Sequence, residues 1–174
     1  NNLLQNHLNV IVYNFVDMLS HSKTDMDMIR ELAGNDKSYR ALTRTWFENS
    51  SLLEMLKKIA DSGSRLFITT DHGTINVSVP SKVVGDRETS ANLRYKSGKR
   101  LQYQVKDVMV MDNPEDYFLP AVNLTSSFIF AKENLYLTYP NNYNHFVKYF
   151  RDTYQHGGIS MEEMICPFVR LSPK

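Results

Sequence analysis

The sequence predicts an α/β fold, a sheet with flanking helices that carries a small antiparallel β extension, and two patterns support it. The first is a pair of nearly continuous apolar runs rich in branched residues, LNVIVYNF at residues 8–15 and RLFITT at residues 65–70, separated by a long helical stretch. Runs of that kind match strands buried on both faces of a parallel sheet, and strand, helix, strand makes a crossover unit. The second is a change of rhythm after Thr74, where short alternating segments broken by turns continue to Tyr139.

Taken in order, the first strand spans Leu8 to Phe15 and ends at Asn14-Phe15-Val16-Asp17. Residues 24–60 read as helical. Asp25 and Asp27 suit a helix start, Gly34-Asn35-Asp36 a break, and Ser51 to Ala60 has strong helical periodicity that Asp61-Ser62-Gly63-Ser64 stops. Arg65 to Thr70 is a second buried strand with Asp71-His72-Gly73 at its carboxyl end, where open parallel sheets place their ligands. The alternating region comprises INVSV, a turn at Gly85-Asp86, LRYK, a turn at Ser97-Gly98, LQYQV, SSFIFA and LYLTY. Asn144 to Tyr154 forms a short amphipathic helix, His156-Gly157-Gly158 a tight loop, Ser160-Met161-Glu162-Glu163 a helix start, and Ile165 to Leu171 a last strand.

Composition narrows the function classes. A net charge of +1, from 20 Lys+Arg against 19 Asp+Glu, argues against nucleic-acid binding by bulk charge while leaving local patches open. The single cysteine, Cys166, can form no internal disulfide and no thiolate cluster for structural zinc, which fits a cytoplasmic location; it reads as a small buried apolar residue. No apolar run approaches the roughly 20 residues that cross a bilayer. The chain opens on Asn1-Asn2 with a core-like strand soon after, which is the expectation for a piece of a longer polypeptide, incomplete at its amino terminus.

Five residues carry the chemistry. Asp17 and His21, Asp71 and His72, and His156 supply the carboxylate oxygens and imidazole nitrogens that bind zinc or manganese at catalytic sites. Asp17 and His21 stand four apart, so a helical backbone there puts both on one face. Asp71 and His72 are adjacent and need the sharp turn that Gly73 permits. A surface turn or a capping Asp explains either pair taken singly; the combination with His156 in a glycine loop favours metal. Glu162 and Glu163 fit either helix-start acids or partners that orient the His156 imidazole. Trp46, Phe47, Met26 and Met28 read as helix-packing residues, and His7 and His145 as histidines outside the ligand set.

The ordered set Asp17-x-x-x-His21, Thr70-Asp71-His72-Gly73 and His156-Gly157-Gly158 resembles the carboxyl-terminal half of the alkaline phosphatase superfamily. ITTDHGTINV, SKVVGDRETSANLRYK and HGGISMEEMICPFV are similar to the PglZ domain of PorX-type response regulators, which are linked to type IX secretion. The resemblance implies that residues 1–174 form the carboxyl-terminal part of a single such domain, with 74–140 an antiparallel insertion or cap. It implies two zinc ions, or manganese, with Asp17, His21 and His156 on one and Asp71 and His72 on the other. It also implies a metal-assisted displacement at phosphorus whose Thr or Ser nucleophile and further Asp ligand come from an earlier segment; Thr70 and Thr74 are poor substitutes. The implied substrate is a phosphodiester, including short or cyclic oligonucleotides, with signalling partners, homodimerisation and no membrane association.

A phosphodiester needs cationic groups. Arg87, Arg94 and Lys96, with Lys99 and Arg100 and interleaved by Tyr95 and Tyr103, offer phosphate pairing and base stacking; a solvated hairpin face is the alternative. A non-catalytic signalling module that keeps the fold stands as the second reading; retention of all five ligands favours the hydrolase, because nothing but a metal requires this set. A metallopeptidase lacks its HExxH helix.

Overall fold

A computed structural model describes residues 6–120 and 126–173, and the chain divides into two compact units, Asn1–Thr70 with Pro167–Lys174, and Asp71–Cys166. The first holds helices α1 (Phe15–Asp25), α2 (Asp27–Leu32), α3 (Asp36–Glu48) and α4 (Ser51–Asp61), then β1 (Leu66–Thr69). The second runs through β2 (Ile75–Val77), β3 (Val79–Lys82), β4 (Tyr95–Gly98), β5 (Val108–Met111), β6 (Ser127–Ala131), β7 (Leu135–Thr138), α5 (Tyr143–Phe150), β8 (Thr153–Gln155) and α6 (Met161–Met164). The chain then returns to the first unit as β9 (Phe168–Leu171).

In the helical unit, polar caps set the helix starts. The Asn35 side chain accepts from the Ser38 N–H at 2.9 Å to open α3, and the Ser50 hydroxyl accepts from the Leu53 N–H at 3.4 Å to open α4. Gly63, at a φ of 74°, takes the left-handed turn that ends α4, as its place in Asp61-Ser62-Gly63-Ser64 predicts. Trp46 stacks face to face on Phe15 at 3.8 Å and tilts against Tyr13 at 5.4 Å, while the Tyr39 hydroxyl donates to the Val16 carbonyl at 3.0 Å. The helix-packing role expected of Trp46 is therefore met. Met26 and Met28, by contrast, are exposed.

Two expected strands differ. Residues 8–14 have no regular structure, Phe15 already belongs to α1, and Leu8, Val10 and Val12 are exposed. The apolar run has the composition of a strand buried on both faces, but among the described residues no strand pairs with it, so nothing closes a parallel crossover. β1 forms where expected, yet among the described residues its only partner is β9, antiparallel, with Leu66 opposite Leu171 and Thr69 opposite Phe168. A two-stranded ribbon leaves Phe67 and Ile68 exposed rather than buried on both faces.

The other unit is built on strand pairing. β4, β6 and β5 form an antiparallel sheet in that order, β2 pairs antiparallel with β8, and β3 pairs parallel with β7. The parallel pair lies inside the stretch expected to be antiparallel; the intervening strands make the long crossover that parallel pairing needs. Val83, Val108, Ile129, Ala131 and Leu137 pack into one core cluster, with Met111, Phe128 and Phe130 in a second against Tyr95 and Ile159. LQYQV forms no strand: Gln102 bridges Val84, and Val105 opens a short 3-10 turn through Asp107. Gly98 is a buried strand residue rather than a turn, because a Cβ there would lie 2.7 Å from the Thr89 hydroxyl, and the chain bends instead at Arg100, with a φ of 53°. The helix expected to reach Tyr154 stops at Phe150, and Thr153–Gln155 becomes β8. Cys166 is half-buried rather than buried.

Candidate metal centre

The β2–β8 ladder brings the two histidine motifs together. Ile75 faces Gln155 in antiparallel register, so the residues just before β2 and just after β8 emerge at the same end of the ribbon. These are Asp71-His72-Gly73-Thr74 and His156-Gly157-Gly158. The His72 and His156 rings stack at 3.9 Å between centroids, 13° from parallel, and each offers a nitrogen within 4.8 Å of the other's. Both are half-buried.

Local contacts set the donor atoms. The Gly73 carbonyl lies 3.0 Å from His72 Nδ1 and, as an acceptor, selects the tautomer with the proton there, which makes Nε2 the ligating nitrogen. The Asp71 carboxylate accepts from the His72 backbone N–H at 3.1 Å, which holds one of its oxygens 3.8 Å from Nε2. Two nitrogens sharing a tetrahedral zinc ion stand about 3.4 Å apart, given bonds of about 2.0–2.1 Å. Near-parallel imidazoles beside a carboxylate gather the donors of a borderline divalent ion in one place, but each nitrogen's lone pair lies in its ring plane, so the stacked rings must turn before both hold a single ion. Zinc and manganese both suit the nitrogen and oxygen donors.

Asp17 and His21 lie in α1, so the condition for their (i, i+4) spacing, a helical backbone, is met in the helical unit. The His21 side chain falls outside the described residues. Asp17 is exposed in the first turn of that helix. His145 is exposed, a surface position, and stacks on Tyr149 at 5.9 Å.

The basic stretch is where the expectation needs correcting. Arg94 is 0% exposed: its Nε donates to Glu163 Oε1 at 2.9 Å, one Nη donates to Glu163 Oε2 at 3.0 Å and to the Ala131 carbonyl at 3.2 Å, and the other Nη donates to the Leu135 carbonyl. A guanidinium committed in this way has no face to offer a substrate phosphate. Lys96 is equally withdrawn, 1% exposed, with its ammonium 4.3 Å from the centre of the Tyr139 ring. Arg87 and Arg100 remain exposed.

Burial pushes the Lys96 ammonium down from the ordinary 10.5 to about 8. Between pH 8 and 10.5 the unfolded chain then binds more protons than the folded one, so stability rises with pH across that window; the penalty is fully present below 8. Such a shift corresponds to about 3 kcal/mol. Replacing Lys96 with Met abolishes the alkaline rise and stabilises the protein at pH 7 by about 1–2 kcal/mol, after loss of the cation–π contact. Urea unfolding at pH 7 and pH 10 measures both.

Glu163 is the residue whose role the sequence left open. It is buried, and its carboxylate accepts from the Gly158 N–H at 2.9 Å and the Ser160 N–H at 3.2 Å, in addition to Arg94. It therefore grips the loop that carries His156 rather than the imidazole itself. Burial alone would raise the carboxyl, but the hydrogen bonds and charge of Arg94, with the Gly158 and Ser160 donors, hold it below the ordinary range. Asn92, not singled out by the sequence, donates from its side-chain amide to the His156 carbonyl at 3.3 Å. The signal that pointed to Glu163 was its place among the acids of a helix start close to His156.

The family model of the BREX system PglZ alkaline phosphatase-like domain matches residues 2–171. The chain belongs to the PglZ family. No curated protein matches it. The PglZ domain is alkaline phosphatase-like, a phosphoesterase-type fold, and its mixed helices and small sheets agree with that class. Among its described residues no helix is long and apolar enough to cross a membrane.

Proposed function

We propose that this PglZ domain is a metal-dependent phosphodiesterase or phosphatase, and that Asp71, His72 and His156, together with Asp17 and His21, hold its two zinc ions, manganese being the alternative. The observation that carries this reading is the near-parallel His72–His156 stack beside Asp71, in a chain matched to the family over residues 2–171. Bound at such ligands, zinc supplies Lewis acidity toward a phosphoryl oxygen. The chain's own residues orient the imidazoles, fix the His72 tautomer through the Gly73 carbonyl, and present Arg87 as an exposed cation for a substrate phosphate. Short linear or cyclic oligonucleotides are the proposed substrates. The setting we propose is a cytoplasmic response regulator linked to type IX secretion, with this domain as its output, signalling partners and self-association.

The withdrawal of Arg94 and Lys96 into the interior favours a second reading, a non-catalytic signalling module that keeps the fold and a metal site. Calorimetric binding of a non-hydrolysable phosphorothioate dinucleotide separates the two. The hydrolase reading expects binding by the zinc-loaded protein that chelation or Arg87→Ala weakens by ~10-fold, and zinc-dependent cleavage of the natural dinucleotide by the full-length protein. Absence of dinucleotide binding in the presence of bound zinc leaves the signalling module.

A further inference from the structure

One residue, Glu163, is tied to both histidine loops. Its backbone carbonyl accepts from the Gly73 N–H at 2.8 Å, next to His72, while its carboxylate accepts from the Gly158 N–H at 2.9 Å, two residues beyond His156. Both glycines are sterically required. A Cβ on Gly73 would collide with the Glu162 carbonyl oxygen, and one on Gly158 would lie 2.5 Å from Glu163 Oε2. The carboxylate cannot swing, because Arg94 holds it in a two-pronged pair at 2.9 and 3.0 Å with both side chains buried. Arg94 is itself oriented by Asn92, whose side-chain oxygen accepts from the Arg94 N–H at 2.7 Å and the Tyr95 N–H at 3.3 Å. The amide of the same Asn92 donates to the His156 carbonyl, and Gly157, at a φ of 99°, passes close over it. Every contact in this set lies within the Asp71–Cys166 unit.

We propose that Asn92, Arg94 and Glu163 form a buried clamp that sets the spacing of His72 and His156, making all three positioning residues for the imidazole pair. A surface loop carrying Gly157-Gly158 has no intrinsic reason to hold one ring 3.9 Å above another. The clamp supplies that reason, with hydrogen bonds at the His156 carbonyl and at Gly158 two residues beyond it, and one at Gly73 beside His72. The consequence for metal affinity rests on the proposed function; the ring geometry does not.

The test compares wild type with Glu163→Gln, which retains one acceptor but loses the charge, and Asn92→Ser, which leaves the Arg94–Glu163 pair intact. Imidazole NMR of the metal-free protein reads the stack through the ring-current shifts of the His72 and His156 signals. Cobalt(II) titration reads ligation through affinity and the visible d–d spectrum. The clamp predicts that folded variants move both histidines toward unstacked shifts and weaken cobalt binding by ~10- to 100-fold, with an altered spectrum. Folded variants with wild-type shifts and wild-type cobalt affinity overturn it. Shifts that move in a protein taking no cobalt in any form uphold the clamp and defeat the metal reading. Should Glu163→Gln fail to fold, Asn92→Ser decides by the same two readouts.

Discussion

Glu163→Ala destabilises the Asp71–Cys166 unit by about 3–5 kcal/mol, because it leaves the fully buried Arg94 guanidinium without its counter-charge. The loss goes beyond one ion pair. Gly158 and Ser160 lose the acceptor for their backbone donors, and each is partly withdrawn from water. Removing both charges together, as Arg94→Met with Glu163→Leu, recovers the part of the loss due to the unpaired buried charge, while the Gly158 and Ser160 donors remain unmet. The pH dependence follows from the depressed Glu163 carboxyl. Its contribution is fully present above the ordinary glutamate range and is lost as pH falls through the lower folded value. Urea unfolding of the three proteins from pH 7 downward checks this. A single variant within about 1 kcal/mol of wild type, or a double variant no better than the single one, contradicts the clamp as drawn.

The sequence showed some elements clearly and misrepresented others, for identifiable reasons. α4 was legible because the periodic run from Ser51 to Ala60 and the stop at Asp61-Ser62-Gly63-Ser64 agree with one another. The stretch at residues 8–14 was misread because apolar composition reports a preference for burial and says nothing of what supplies it. β5 escaped notice because VMVM is four residues long and sits between charged neighbours, while β8 was hidden in an apparent helical pattern. Its pairing with β2 is nevertheless what joins the histidine motifs, so the ligands were legible and the scaffold beneath them was not. Arg94 and Lys96 were read as surface cations because charged side chains are rarely buried without a partner, and the partner of Arg94 lies far away in the chain. The helix that carries Asp17 and His21 was legible only as a condition, their four-residue spacing, and α1 meets that condition.

His72→Ala and His156→Ala each remove one of two stacked imidazoles and weaken metal binding by ~100-fold or more, whereas His145→Ala, on an exposed helical face, leaves it unchanged. The effect on stability runs the other way in size. Both rings are only half-buried, so the metal-free variants unfold within about 1 kcal/mol of wild type, while the zinc-loaded forms separate by the binding energy that wild type alone gains. Thermal unfolding with and without zinc shows the split.

The most direct measurement is the zinc content per chain of protein purified without added chelator, in wild type and in the His72→Ala and His156→Ala variants. A stoichiometric ion in wild type that either substitution strips away is the result predicted for this PglZ domain. Wild type without bound zinc or manganese, or zinc retained in full by both variants, would contradict the assignment of the stacked histidines as metal ligands.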